Sequence, residues 1–181
     1  MQATRKLVLY IAASLDGFIA RKNGDTSWLH DERYAIEGED FGYRAFLQGI
    51  DTTLMGHSTY QAVLGFEIPF PYPDKTNYVF SRSQHPETEH VQFVQQGVPE
   101  FVQRLKQQPG QDIWLIGGGQ VNTLLLNAGL IDEVVLTYIP IVLGSGIPLF
   151  AAGAREKQLQ AQESRSFRNG FVQVSYSLTP A

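Results

Sequence analysis

The chain has 181 residues, 43% hydrophobic and 18% charged, with a net charge of −4. That length and composition suit one globular domain spanning 1–181 and exclude intrinsic disorder; such a chain buries roughly 70% of its unfolded surface and needs no staple. The acidic balance offers nothing to a nucleic acid, and the lack of cysteine excludes disulfides, thiolate chemistry and Cys-based zinc sites.

Residues 7–13 (LVLYIAA) form a continuous apolar run, as in a strand buried on both faces. Asp16-Gly17 signals a turn, and residues 22–25 (KNGD) a second. Residues 39–50 place Phe41, Ala45, Phe46 and Gly49 near helical spacing. Residues 51–56 read as a short strand closed by glycine, and 57–63 as a helix with polar residues at its start. Pro69, Pro71 and Pro73 make 65–75 irregular or extended. Strands are expected at 77–81 and, more weakly, at 91–94; 99–107 is a helix with Pro99 in its first turn. Residues 113–117 form a strand that breaks into Gly117-Gly118-Gly119, followed by a helix over 121–128. Residues 133–142 are a β-branched strand interrupted by Pro140, and 144–146 (GSG) a loop. Strands at 159–167 and 171–178 flank the hairpin turn Arg168-Asn169-Gly170. This order predicts an α/β chain with a mostly parallel sheet and an antiparallel C-terminal edge.

No apolar run reaches the roughly 18 residues of a membrane span. Asp16 and Gly17 interrupt the N-terminal apolar stretch, so it makes no signal segment. A cytoplasmic chain is expected. His30, His57, His85 and His90 are spread too widely for a local ligand motif, so no metal site is expected. No G-x-S-x-G elbow is present, which leaves an acyl-transfer hydrolase without support.

The triple glycine is the most informative feature. A strand that turns into side-chain-free backbone and restarts as a helix lets a ligand approach the main chain, and the free N–H groups of the helix start favour phosphate. A tight turn without a ligand is the plain alternative. Two further junctions, 12–17 and 56–59, also place small or polar residues at strand ends, where open α/β sheets bind ligands. Ser81-Arg82 ends a fourth strand. Ser58 and Thr59 cap a helix and are candidates to touch phosphate as well. Arg82 is either a solvated loop residue or a partner of the ribose 2′-phosphate that distinguishes NADPH. Asp40 stands where a helix start favours a carboxylate, so it either caps the helix or orients a substrate nitrogen. Trp28 and Tyr43 are core or rim aromatics, or else surfaces for stacking a substrate.

These segments together resemble the dihydrofolate reductase fold, and more closely the branch containing the reductase domain of riboflavin biosynthesis and its stand-alone bacterial relatives. The resemblance rests on residues 11–20 (IAASLDGFIA), 54–60 (LMGHSTY), 79–82 (VFSR), 116–119 (IGGG), Leu136-Thr137 and 144–150 (GSGIPLF). It covers almost the whole chain and implies a three-layer α-β-α architecture. It also implies NADPH across the carboxyl ends of the central strands. Gly56, His57, Ser58 and Thr59 would hold the pyrophosphate together with Gly117, Gly118, Gly119 and Gln120, with Ile116 part of the same seat. Ser81 and Arg82 would face the adenosine phosphate, and Ala12 and Ile19 would line the nicotinamide pocket. The family's substrate-orienting carboxylate corresponds to Asp40, sixteen positions before Gly56 (56 − 40 = 16), and its companion threonine to Thr137. Trp28, Tyr43 and Arg44 join Asp40 as candidate substrate residues.

The chain departs from the folate-reducing branch at several points. Residues 71–75 (PYPDK) lack an arginine, Arg44 replaces an aromatic residue, and His57 replaces a stronger base. It also lacks the Asp-Asp-Pro-x-Leu-x-x-Arg stretch of riboflavin-pathway reductases. The expected function is an NADPH-dependent reductase acting on a small heterocyclic or sugar-like molecule. Two readings of other classes compete with it: a nucleotide-binding module without turnover, and a structural homodimer with a vestigial site. Strands 134–141 and 172–178 are apolar enough to pair across such an interface.

Overall fold

A computed structural model describes residues 4–66, 68–86 and 88–178. Among the described residues, ten strands and four α-helices follow one another. Strand β1 is Leu7–Ser14 and β2 is Phe18–Ala20; two 3-10 turns at Ser27–His30 and Glu32–Tyr34 lead to helix α1, Tyr43–Gln48. Next come β3 (Ile50–Gly56), α2 (His57–Leu64), β4 (Thr76–Phe80), β5 (Gln92–Val94) and α3 (Val98–Lys106). The chain continues through β6 (Asp112–Gly117), α4 (Gly119–Asn127), β7 (Glu133–Ile139), β8 (Ile147–Pro148), β9 (Leu159–Ser166) and β10 (Val172–Leu178).

Eight strands build the main sheet in the order β5-β4-β3-β6-β1-β7-β10-β9. The six from β5 to β7 are parallel; β10 and β9 add an antiparallel pair at one edge. The central position of β1 accounts for its apolar run: Leu7 and Leu9 are fully buried and Val8 nearly so. Successive strand residues point to opposite faces. Leu54 packs with Val102 and Leu105 of α3 and Leu125 of α4, while its neighbour Met55 packs with Tyr60 of α2. Trp114 meets Tyr43 and Phe46 of α1 on that second face. Two helices on each face give the three-layer α-β-α architecture. Among the described residues, no helix is long and apolar enough to cross a membrane.

Several boundaries differ from the sequence expectation. The helix expected over 39–50 is only Tyr43–Gln48, because Gly38, Phe41 and Gly42 take positive φ and turn the chain instead. The strand expected to reach residue 142 stops at Ile139, before Pro140. Helix α4 starts two residues early, at Gly119. The short ladder between β2 and β8 is unanticipated, since two or three residues carry no readable period. The 168–170 hairpin turn forms as expected, with Gly170 at φ 87°. Strands β7 and β10 each have both edges hydrogen-bonded within the chain, so neither offers a free edge to a second copy. The open edges of the main sheet belong to β5 and β9.

Candidate active site

The register places the ends of β4, β3 and β6 side by side: Gly56 aligns with Phe80, and Met55 with Gly117. The glycine turns that follow β3 and β6 therefore meet. A Cβ on Gly56 would lie 3.8 Å from the Gly117 carbonyl oxygen and 3.9 Å from the Gly118 nitrogen. A Cβ on Gly118 would lie 3.3 Å from Thr59 Oγ1 and 3.8 Å from Ile19 Cδ1. Three segments far apart in sequence thus converge on one cradle: Ile19, Gly56 with Thr59, and the two turn glycines Gly117 and Gly118.

Helices α2 and α4 both start at this cradle, and neither has a side-chain cap. Their first-turn N–H groups lack helical partners and present partial positive charge. Two helix starts and a glycine wall suit a pyrophosphate. The cradle thus fits a dinucleotide, with Gly56, Thr59, Gly117 and Gly118 at its floor. Gly117 is buried at φ 119°, and the Gly117–Gly118 peptide is cis. Gly119 belongs to the framework: a Cβ there would collide with the Pro148 carbonyl oxygen. Ser58 and Gln120 are exposed at the helix starts, and Ile116 is half-buried against Met55 and Val79.

Asp16 pins the nearby Asp-Gly turn. Its carboxylate accepts from Ser14 Oγ at 2.7 Å, Leu143 N at 3.0 Å and Gly144 N at 2.7 Å. The Ser14 bond, aided by those two N–H groups, holds its pKa below the usual carboxylate value. This tie brings the 143–148 segment back against β2. Asn122, fully buried in α4, donates to the Leu149 carbonyl at 2.9 Å, and Thr123 donates to the Ala151 carbonyl at 3.3 Å.

At the end of β4, Ser81 Oγ is 2.7 Å from His85 Nε2. His85 stacks on His57 at 4.3 Å and on Phe93 at 4.5 Å. His85 is thus an unforeseen neighbour of Ser81 and His57; its place four residues after Ser81, in a loop that holds Pro86, gave no periodic signal. Arg82 is exposed and makes no ion pair among the described residues.

The second cluster lies on the sheet face covered by α1. Ala12, Thr137 and Gln173 are aligned across β1, β7 and β10. Gln173 Nε2 reaches Thr137 Oγ1 at 3.0 Å, the Phe41 carbonyl at 3.2 Å and Tyr10 Oη at 3.3 Å. Tyr10 donates to the same Phe41 carbonyl at 3.2 Å. Burial pushes the Tyr10 phenol pKa up; the Gln173 bond opposes this, and the nearby Asp40 charge adds to it. The structure thus links Thr137, through Gln173, to the residue that follows Asp40.

Asp40 itself caps the start of α1. Its Oδ1 accepts from Gly42 N at 3.0 Å and its Oδ2 from Arg44 N at 3.1 Å. The Asp40 side chain stays 37% exposed, so the capping bonds do not close it off from a ligand. Arg44 Nε lies 3.7 Å from Asp40 with its side chain 89% exposed, a weak surface pair. Tyr43 is half-buried, edge-on to Trp114 at 5.8 Å, and burial raises its pKa. Trp28 is buried against Ile139 and Phe171, with Ala12 packed on the same cluster. Its Nε1 has no partner among the described residues. Tyr10 and Gln173 escape a sequence reading. Their one signal is polarity: a tyrosine inside LVLYIAA and a glutamine inside an apolar strand. A separate shallow cavity between Ile36, Glu39, Phe167 and Arg168 includes none of the glycine-turn residues.

Comparison with known proteins agrees with this architecture. The family described as RibD C-terminal domain matches residues 5–173. The uncharacterized protein YwjB of Bacillus subtilis (strain 168) is 44% identical over 174 residues, covering 95% of this chain and 97% of that protein. A putative riboflavin biosynthesis protein from Shewanella sp. PV-4 superposes with a TM-score of 0.85 at 29% identity, covering 96% of this chain and 99% of that one. The Thermotoga maritima diaminohydroxyphosphoribosylaminopyrimidine deaminase/5-amino-6-(5-phosphoribosylamino)uracil reductase shares the fold, with a TM-score of 0.68 at 17% identity; the match covers 97% of this chain and 57% of that one. With its three layers, its two glycine turns and this match over nearly its whole length, the chain belongs to the RibD C-terminal domain family and has the dihydrofolate reductase-like fold of its riboflavin-biosynthesis reductase-like neighbours.

Proposed function

We propose that this chain is an NADPH-dependent reductase that passes hydride to a polarised C=N or C=O of a small heterocyclic or sugar-like metabolite. One observation carries the reading: the turns after β3 and β6 meet at a glycine-floored cradle between two uncapped helix starts. Gly56, His57, Ser58 and Thr59, with Ile116, Gly117, Gly118 and Gln120, form the seat for the cofactor's pyrophosphate, and Gly119 packs behind them against Pro148. Ser81 and Arg82 serve its adenosine phosphate, and Ala12 and Ile19 flank the nicotinamide. When bound, the dihydronicotinamide supplies the hydride. The protein supplies orientation and charge: Asp40, with Thr137 behind it, anchors a substrate nitrogen or hydroxyl. Trp28, Tyr43 and Arg44 bound the substrate side. Family membership and the reductase among the structural neighbours support this reading.

Titrating the protein with NADPH and following tryptophan fluorescence tests the cofactor premise. NADPH oxidation is then measured across pterins, aminopyrimidines and small carbonyls. Saturable binding with turnover of one class is the expected result. Binding without turnover on any of them favours the second reading, a nucleotide-binding module. The capping bonds of Asp40 favour that alternative, because they give the carboxylate a structural occupation.

Cofactor choice gives a second check. Arg82 is the basic side chain beside Ser81, and guanidinium matches phosphate oxygens in pairs. Arg82→Ala should narrow the preference for NADPH over NADH, read from the two dissociation constants. Equal losses for both cofactors would remove Arg82 from the 2′-phosphate.

A further inference from the structure

Phe41 has φ 57° and is the one non-glycine residue with positive φ among the described residues. A bulky side chain occupies that region only where its surroundings hold it there. The holding groups come from distant strands. Tyr10 Oη on β1 and Gln173 Nε2 on β10 both donate to the Phe41 carbonyl, each at 3.2 Å. The Phe41 N–H donates to Glu39 Oε1 at 2.7 Å, and the ring packs against Phe167 and Phe171 at 5.0 and 5.1 Å.

This conformation bears directly on Asp40. The Asp40 carboxylate accepts from Gly42 N and Arg44 N, just beyond Phe41. The turn at Phe41 brings those N–H groups back to the carboxylate. Were Phe41 to relax to negative φ, the loop would open and Asp40 would lose its fixed direction. We propose that Tyr10 and Gln173 are positioning residues, which clamp the Phe41 carbonyl and thereby aim the Asp40 carboxylate into the substrate pocket. This rests on Asp40 being the substrate-facing carboxylate proposed above.

The network is built for alignment. The Gln173 amide has two hydrogens and meets three acceptors, Phe41 O, Thr137 Oγ1 and Tyr10 Oη, so it ties three elements together. Tyr10 also stacks on Phe46 of α1 at 4.2 Å. The ionisable groups around the Tyr10 hydroxyl are Asp40, Tyr43 and Arg165.

The test uses 2,4-diaminopyrimidine as the probe, because its amidinium edge can give a carboxylate two parallel hydrogen bonds. Binding to the full chain is read by tryptophan fluorescence, with the NADPH dissociation constant measured alongside. Asp40→Asn should weaken the probe about a hundredfold, and Tyr10→Phe or Gln173→Met about tenfold, with NADPH affinity unchanged in all three. Gln173→Glu supplies the discriminating readout. As the pH falls toward the carboxyl's own pKa, about 4.3 in a free glutamate side chain, the protonated fraction can donate to the Phe41 carbonyl and probe affinity relative to wild type should recover; near pH 8 the ionised group repels that carbonyl and the deficit should return. A merely structural glutamine would produce a pH-independent ratio. Wild-type probe binding in Tyr10→Phe and in both Gln173 variants, while Asp40→Asn is impaired, overturns the positioning role alone. Parallel loss of NADPH affinity in the Tyr10 and Gln173 variants also overturns it. Failure of wild type to bind the probe, or no effect of Asp40→Asn, overturns the Asp40 reading and this proposal with it. Should Gln173→Met not fold, Tyr10→Phe, which keeps the stack on Phe46, and Gln173→Glu decide the matter.

Discussion

Asp40→Asn should lower turnover about a hundredfold or more while leaving NADPH binding intact, the size of effect expected for a lost charge-assisted contact or proton route. The substitution separates the capping role seen in the structure from the substrate role proposed for this residue. Asparagine keeps one acceptor oxygen and sets an amide donor in place of the other, so one of the bonds to Gly42 N and Arg44 N is lost and stability should fall by about 0.5–1.5 kcal/mol. What disappears is the negative charge and the second acceptor oxygen. Steady-state kinetics with the substrate class found active, together with a thermal melt, checks both halves. A lower melting temperature with normal turnover would reduce Asp40 to a cap. The cofactor assignment would survive that outcome, because no cradle contact involves Asp40.

Gly118→Ala should weaken NADPH binding at least tenfold, about 1.4 kcal/mol, with the fold retained. Gly118 has φ −89° and ψ −169°, which alanine adopts freely. The added methyl would lie 3.3 Å from Thr59 Oγ1, so the neighbours need shift by only a few tenths of an ångström. The methyl nevertheless intrudes on the space between the two helix starts. Gly119→Ala is the contrasting control. Its methyl would run into the Pro148 backbone carbonyl, which cannot rotate away, so overpacking should destabilise the protein by about 1–3 kcal/mol with or without cofactor. Isothermal titration of NADPH and denaturant unfolding of both variants distinguish a ligand seat from a packing contact. Unchanged NADPH affinity in folded Gly118→Ala would take the glycine out of the site.

Much of this protein is legible along the chain. The apolar run in β1 announces burial on both faces, and the structure places it at the centre of the sheet. The glycine breaks after β3 and β6 and the 168–170 turn are local events, set by φ preferences and by residues adjacent in sequence. Relations across the chain are not legible in that way. Gly56 and Gly118 are far apart in sequence, and they meet only because β3 and β6 pair in one register. The helix expected over 39–50 is shortened because Tyr10 and Gln173, from two distant strands, clamp Phe41 in a conformation its own propensity opposes. Strand 134–141, apolar enough to suggest an interface strand, has both of its edges taken by β1 and β10 inside its own sheet. Local backbone preference and hydrophobic period therefore determined the elements, the parallel class of the sheet and the glycine seats. The tertiary structure alone decided which glycine turns share a cradle, which polar side chains hold the Phe41 carbonyl beside Asp40 and where the open edges of the main sheet lie, because strand register and long-range hydrogen bonds depend on packing between segments that no local pattern encodes.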